Sequence, residues 1–221
     1  MKHLIKILAF VLVYPAALAW AQTPNQLEAN PEGWISLMPH EALKGWERVA
    51  YPPGGKLDPH SQWSLDPATG YILCDGTGPR EWLRYDTEFD DFIFHAEWRF
   101  TKKDGVEGYN SGIFARNNAD GSIWHQAQTL DADGGFLFGD TLLNGKIQRV
   151  NLSKERKENR VKPAGEWNTY EIRCEGKKIT LWVNGAVVSE FDDCEVPKGY
   201  VGLEAEGYRI EFRNLKLKML P

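Results

Sequence analysis

The chain is predicted to be all-β, a sandwich of two sheets, on three observations. Apolar residues alternate with polar or charged ones over short runs, most fully in Phe92-Ile93-Phe94-His95-Ala96-Glu97-Trp98-Arg99-Phe100. Nine Trp, eight Tyr and ten Phe favour strands over helices. Gly, Asp and Pro turns separate many short runs, the layout of a sandwich rather than of an α/β protein.

Taken in chain order, residues 1–21 carry Lys2 and Lys6, an apolar stretch from Ile7 to Leu18, and Ala19-Trp20-Ala21. That is the pattern of an export signal ending at a small-x-small cleavage site. The stretch is shorter than the ~20 apolar residues of a membrane span. The mature chain is therefore expected to start near Gln22, to be exported to the periplasm or the medium, and to have no membrane partner. Residues 22–32 are polar and read as a flexible leader before a single domain, 33–221.

Strands are expected at 34–37, 63–65, 70–74, 82–85, 92–100, 111–116, 124–129, 167–174, 178–183, 187–191, 200–205 and 208–218. Asn184-Gly185 between Leu181-Trp182-Val183 and Ala186-Val187-Val188 marks a two-residue hairpin, because both residues tolerate positive φ. Glu41–Gly45 suits one helical turn, and 153–161 a short helix or loop. The segment from Asp131 to Lys146, with Phe136-Leu137-Phe138 between glycines, reads as a long loop able to roof a site.

The charge balance excludes some partners. With 26 basic and 31 acidic residues the net charge is −5; removing residues 1–21 deletes two Lys and no acid, leaving 24 − 31 = −7. Such a surface disfavours nucleic acid and anionic membrane. Cys74, Cys174 and Cys194 are an odd number for an oxidising compartment; either Cys174 and Cys194 pair, or all three are small buried hydrophobes. No Cys or His spacing supports a metal site, and no cofactor is expected.

Several motifs recur in a fixed order: Gly33-Trp34-Ile35-Ser36-Leu37, Leu43-Lys44-Gly45-Trp46, Ala96-Glu97-Trp98-Arg99, Asn110-Ser111-Gly112-Ile113-Phe114-Ala115-Arg116, Gly165-Glu166-Trp167-Asn168, Val183-Asn184-Gly185 and Ile210-Glu211-Phe212-Arg213-Asn214. On these the chain resembles the DUF1080 family, the 3-keto-disaccharide hydrolase domain, from Gly33 to Leu220. The resemblance implies a concanavalin-like jelly roll in an exported protein that acts on glycosides oxidised at C3, by elimination and rehydration. Where that family often has Tyr-Glu-x-Gln-x-x-Asp, this chain has His125-Gln126-Ala127-Gln128-Thr129-Leu130-Asp131. Gln128 and Asp131 match, but Gln126 replaces a carboxylate and cannot exchange a proton near neutral pH.

A C3 ketone acidifies the C2 proton, so the chemistry needs a base, an oxyanion donor and a leaving-group acid. Glu97 is the first candidate base, with Arg99 on the same strand face to hold it; the competing reading is a surface ion pair. Arg116 suits a keto oxygen, and Asn110 and Ser111 suit sugar hydroxyls or turn capping. His125 can titrate in place of the missing Glu, with Asp131 as a second proton carrier or turn residue. Gln128 and Lys146 are further substrate-binding candidates. Glu204 and Glu206 share one strand face and can divide acid and base roles, or form a solvated acidic edge. Trp82, Trp124 and Trp182 suit stacking on a pyranose or plain core packing. A saccharide is the expected ligand; a non-catalytic binding module of the same fold is the alternative. A standard glycosidase would need Glu97 close to Glu204 or Glu206.

Overall fold

A computed structural model of the chain describes residues 22–221. Residues 1–21, read above as an export signal, lie outside them. The strands are Trp34–Ser36 (β1), Trp46–Ala50 (β2), Trp63–Leu65 (β3), Ile72–Cys74 (β4) and Glu81–Tyr85 (β5). Next come Phe92–Phe100 (β6), Gly112–Asn117 (β7), Trp124–Gln128 (β8), Leu137–Leu143 (β9) and Lys146–Asn151 (β10). Asn168–Glu175 (β11), Lys178–Val183 (β12), Ala186–Phe191 (β13), Tyr200–Ala205 (β14) and Ile210–Met219 (β15) complete the chain.

These strands form an all-β jelly-roll sandwich of two antiparallel sheets. One sheet has the order β13-β12-β11-β6-β15-β4-β3, with β1 also on β15; the other runs β10-β9-β8-β7-β14-β5-β2. As the alternation requires, Phe92, Phe94, Ala96, Trp98 and Phe100 are buried between the sheets, against a core that includes Ile113, Ala115, Leu203 and Ala205. The Asn184-Gly185 hairpin forms as expected, with Val183 opposite Ala186 and both turn residues at positive φ.

Three strands depart from the sequence reading. Much of the expected loop over 131–146 is strand: β9 pairs with β8 on one side and with β10 on the other. Gly139 and Asp140 lower its intrinsic strand preference, and the neighbouring strands override it. β2 likewise pairs with β5 at the sheet edge. Glu41–Gly45 makes overlapping turns, Lys44 N to Glu41 O and Trp46 N to Leu43 O, rather than a helix. Residues 153–161 are irregular.

The segment expected as a flexible leader contains one helical turn, Gln26–Ala29 (α1), capped by Asn25. Its first amides, Gln26 N and Leu27 N, donate to the Glu171 carboxylate at 2.6 and 3.0 Å. All three cysteines are free and buried, so of the two readings Cys174 and Cys194 take the unbridged one. Burial pushes each thiol up, Cys74 to about 12. Among the described residues no helix is long and apolar enough to cross a membrane.

Candidate functional site

Strand register gathers the site on the outer face of the seven-stranded sheet. Glu204 of β14 lies opposite Trp82 of β5, Phe114 of β7 opposite Gln126 of β8, and Gln126 opposite Phe138 of β9. Trp82, Phe114 and Trp124 pack edge to face into a small aromatic cluster separate from the main core. Polar side chains from four segments meet beside it.

They close into a ring. Arg80 Nε and Nη2 donate to Glu204 Oε1 at 2.7 and 2.5 Å. Gln126 Nε2 donates to Glu204 Oε2 at 2.8 Å and to Gln128 Oε1 at 2.9 Å. Gln128 Nε2 then donates to Asn110 Oδ1, and Asn110 Nδ2 to Glu206 Oε2 at 2.6 Å. Glu206 Oε1 stands 3.6 Å from Arg80 Nε and completes the circuit. Ser111 supports it from the side, its Oγ donating to the Glu204 carbonyl at 2.8 Å. Gly112 is required beneath: a Cβ there would lie 1.9 Å from Gln126 Nε2, inside any permitted contact. The Asn110-Ser111-Gly112 motif is thereby explained by the amide that lies over it.

Glu204 is the chemically distinctive member. It is 1 % exposed, and burial, reinforced by the neighbouring Glu206 charge, pushes its carboxyl up to about 7 against the pull of Arg80 and Gln126. Removing water from a carboxylate costs more here than one partly exposed guanidinium returns. A carboxyl in that range exchanges a proton at neutral pH, the property a general base or acid requires.

The other candidates are distributed elsewhere. Glu97 and Arg99 lie on the outer face of the opposite sheet and do not pair with each other. Glu97 accepts from Arg213 Nε and Asn214 Nδ2 at 2.7 and 2.8 Å, while Arg99 Nε donates to Glu211 at 2.7 Å. The His95 imidazole 3.8 Å away, with Asn214 and Arg213, holds the Glu97 carboxyl down to about 2. The face is a stacked ion-pair network, with Arg213 and Arg99 at 3.9 and 4.7 Å from the Trp167 ring. Glu97 and Glu204 point away from a core in which sheets pack about 10 Å apart, beyond the about 5–9.5 Å that two glycosidase carboxyls span.

Arg116 is fully buried and touches no site residue. Its guanidinium donates to the carbonyls of Asp90, Gly176 and Val196 and pairs with Asp91, tying three loops together. Asp131 Oδ1 accepts from Ala164 N at 2.8 Å and anchors the loop before β11. Lys146 is exposed at the start of edge strand β10, and Trp182, on β12 of the opposite sheet, donates to Thr23 Oγ1 of the segment before α1.

His125 faces inward, for a reason in the pleat: consecutive strand residues point to opposite faces, so with Gln126 in the site His125 enters the core. Its Nδ1 lies 3.1 Å from Ala115 O and its Nε2 2.6 Å from Thr141 Oγ1. Burial lowers it to about 4. Because the folded value lies below the unfolded one, its stabilising share is complete above about pH 6.5 and is lost as pH falls toward 4. Relative to His125→Gln, wild type should therefore lose stability in urea unfolding as pH falls from about 7 to about 5.

Sequence reasoning missed Arg80, the cation of the ring, and Tyr51, whose ring lies 4.2 Å from the Arg80 guanidinium. Arg80 follows Gly78-Pro79 in a loop and is 124 residues from Glu204, so no local pattern joins them. Among the described residues no group of three or more His, Cys, Asp or Glu side chains is placed to hold a metal.

A family model for 3-keto-α-glucoside-1,2-lyase-like domains matches residues 33–218. No curated protein matches the chain significantly. Among solved structures, a glycosyl hydrolase candidate from Parabacteroides distasonis superposes with a TM-score of 0.61 at 17 % identity, covering 91 % of this chain and 99 % of that one. Carbohydrate-binding module CBM66 from Bacillus subtilis gives 0.55 at 15 % identity, over 78 % and 94 %. A β-glucanase from Bacillus licheniformis gives 0.51 at 13 %, over 80 % and 94 %. At such identities these likenesses establish the fold, which enzymes and binders share.

Proposed function

Because the chain belongs to the family of 3-keto-α-glucoside-1,2-lyase-like domains, we propose that it is an exported enzyme cleaving or hydrating 3-keto-glycosides, with Glu204 as the proton-transfer group. The observation that carries this reading is the Glu204 carboxyl: buried, raised to about 7, and held in a ring of oriented side chains beside an aromatic wall.

The roles follow from the chemistry. Glu204, ionised, removes the C2 proton acidified by the C3 ketone. The resulting enolate expels the C1 substituent, and Arg80, already in contact with Glu204, steadies the negative charge at O3. Glu204 then hands the proton taken from C2 to the departing oxygen. In the second half, Glu204 takes a proton from the water that adds at C1 and delivers it to C2. The net change is hydrolysis, with the Glu204 carboxylate restored. Gln128 and Asn110, being neutral amides, orient Glu204 and Glu206 without competing for protons.

A non-catalytic saccharide-binding module is the rival, favoured by Gln126, a neutral amide where the family resemblance implies a carboxylate. The test is incubation of the protein, of Glu204→Gln and of Glu97→Gln with a 3-keto-disaccharide and its unoxidised parent, following product sugar and solvent deuterium at C2. Turnover of the keto sugar alone, with C2 exchange lost in Glu204→Gln and within about twofold of wild type in Glu97→Gln, supports the proposal, because loss of a base costs about 10²-fold or more. Loss in Glu97→Gln alone would move the base to the other sheet. Binding without turnover of either sugar would establish the rival.

A further inference from the structure

Two buried polar side chains that line one recess of the site face each carry an atom with no partner. Gln126 is 0 % exposed and its Oε1 accepts nothing; Trp82 is 2 % exposed and its Nε1 donates to nothing. A buried donor or acceptor left unmade keeps its full desolvation cost, and native folds leave few such groups without reason. Both residues line one recess of about 10 Å³, walled by Tyr51, Phe114, Trp124 and Gly121. That space is the size of one oxygen-centred group.

The orientation of the Gln126 amide is determined chemically. Its nitrogen faces Glu204 Oε2 and Gln128 Oε1, both acceptors, so the nitrogen must be on that side and the oxygen on the other. On the opposite wall, Gly121 leaves the indole edge open: a Cβ at that position would stand 3.2 Å from Trp82 Nε1. The recess thus presents one acceptor, one donor and aromatic walls, with the Arg80 guanidinium at its edge already engaged by Glu204 and Glu206. A carboxylate has no O–H for Gln126, and neither a carboxylate nor a phosphate gains a free cation here; an ammonium has no acceptor for Trp82.

We propose that this recess is a subsite for a single neutral hydroxyl-type oxygen, which donates its O–H to Gln126 Oε1 and accepts from Trp82 Nε1. On this view Gln126 performs a task that a carboxylate at the same position could not perform with a neighbour like Glu204, because two adjacent carboxylates would repel and each would want a donor. The oxygen has two possible sources of identical chemistry, a hydroxyl of the bound saccharide or a water molecule held next to it. The proposal concerns binding, so it stands for a catalyst and for a binding module alike.

The test is a crystal structure of the wild-type protein at about 1.5 Å or better, alone and soaked with the unoxidised disaccharide and with its 3-keto form, together with the affinity of Trp82→Phe for the same two sugars. An ordered oxygen within hydrogen-bond distance of both atoms supports the subsite. If that oxygen belongs to the sugar in the soaked crystal, Trp82→Phe should bind about 5-fold more weakly, the scale of one net hydrogen bond; if it stays a water, affinity should change less than twofold. Calorimetric melting of Trp82→Phe verifies that it remains folded, and the crystal arm does not depend on the variant. Two well-resolved atoms with no oxygen within 3.5 Å of both, in either crystal, would overturn the proposal. C2 exchange plays no part in these readouts, so failure here is distinguishable from failure of the keto-sugar reading.

Discussion

Glu204→Gln is expected to lower turnover of a 3-keto-glycoside by about 10²–10⁴-fold, the usual loss when a general base or acid is removed, while leaving saccharide binding nearly intact. The substitution keeps the shape of the side chain and its place over Ser111, and a Gln amide oxygen can still accept from Arg80. What disappears is the exchangeable proton. In the wild-type protein kcat/KM should rise with pH through about 7 as Glu204 ionises, and in Glu204→Gln any residual activity should lack that inflection. Stability supplies a second readout of opposite sign. A carboxyl whose folded pKa exceeds its unfolded value favours the fold while protonated, and that contribution is lost as pH rises through the folded value. In urea titrations wild type should therefore weaken relative to Glu204→Gln as pH rises from about 4.5 to about 7. A stability difference between the two proteins that does not vary with pH would show that the buried carboxyl does not titrate in this range.

Arg116→Met is expected to produce the largest loss of stability, about 3–5 kcal/mol. The guanidinium is fully buried and supplies donors to the carbonyls of Asp90, Gly176 and Val196 and to the Asp91 carboxylate. Methionine fills much of the volume but leaves all four acceptors without their partner. Arg116 also sits at φ 51, a left-handed conformation that its contacts must maintain. For a chain of this length the loss corresponds to roughly 6–20 °C in Tm. Measured below its own transition, the variant should retain saccharide affinity and kcat within about twofold, because Arg116 lies at the end of the sandwich and outside the ring around Glu204; losses of a reacting group are far larger. A selective loss of substrate affinity in a protein of unchanged Tm would return Arg116 to the substrate-binding role its residue type suggests.

The sequence alone determined the β-sandwich, the inward row Phe92 to Phe100, the Asn184-Gly185 hairpin and the family. These rest on period-two alternation, turn chemistry and ordered motifs, all local in the chain and therefore visible in it. Alternation also implied that Gln126 and His125 face opposite ways, yet it could not say which of them enters the core between the sheets. Only tertiary structure decided that, by pairing Gln126 with Phe114 and Phe138 on the outer face.

The same limit governs the candidate site. Glu97 and Glu204 carry similar strand patterns, each a carboxylate between inward apolar residues, and nothing local ranks them. The difference arises from neighbours distant in the chain. Glu97 meets His95, Asn214 and Arg213, which keep it ionised, whereas Glu204 is buried beside Arg80 and Gln126 and becomes a group that titrates near neutrality. The sequence sets which faces exist, because pleating is a property of the backbone. The sheet order sets which face becomes a site, because desolvation depends on what long-range packing brings against each carboxyl.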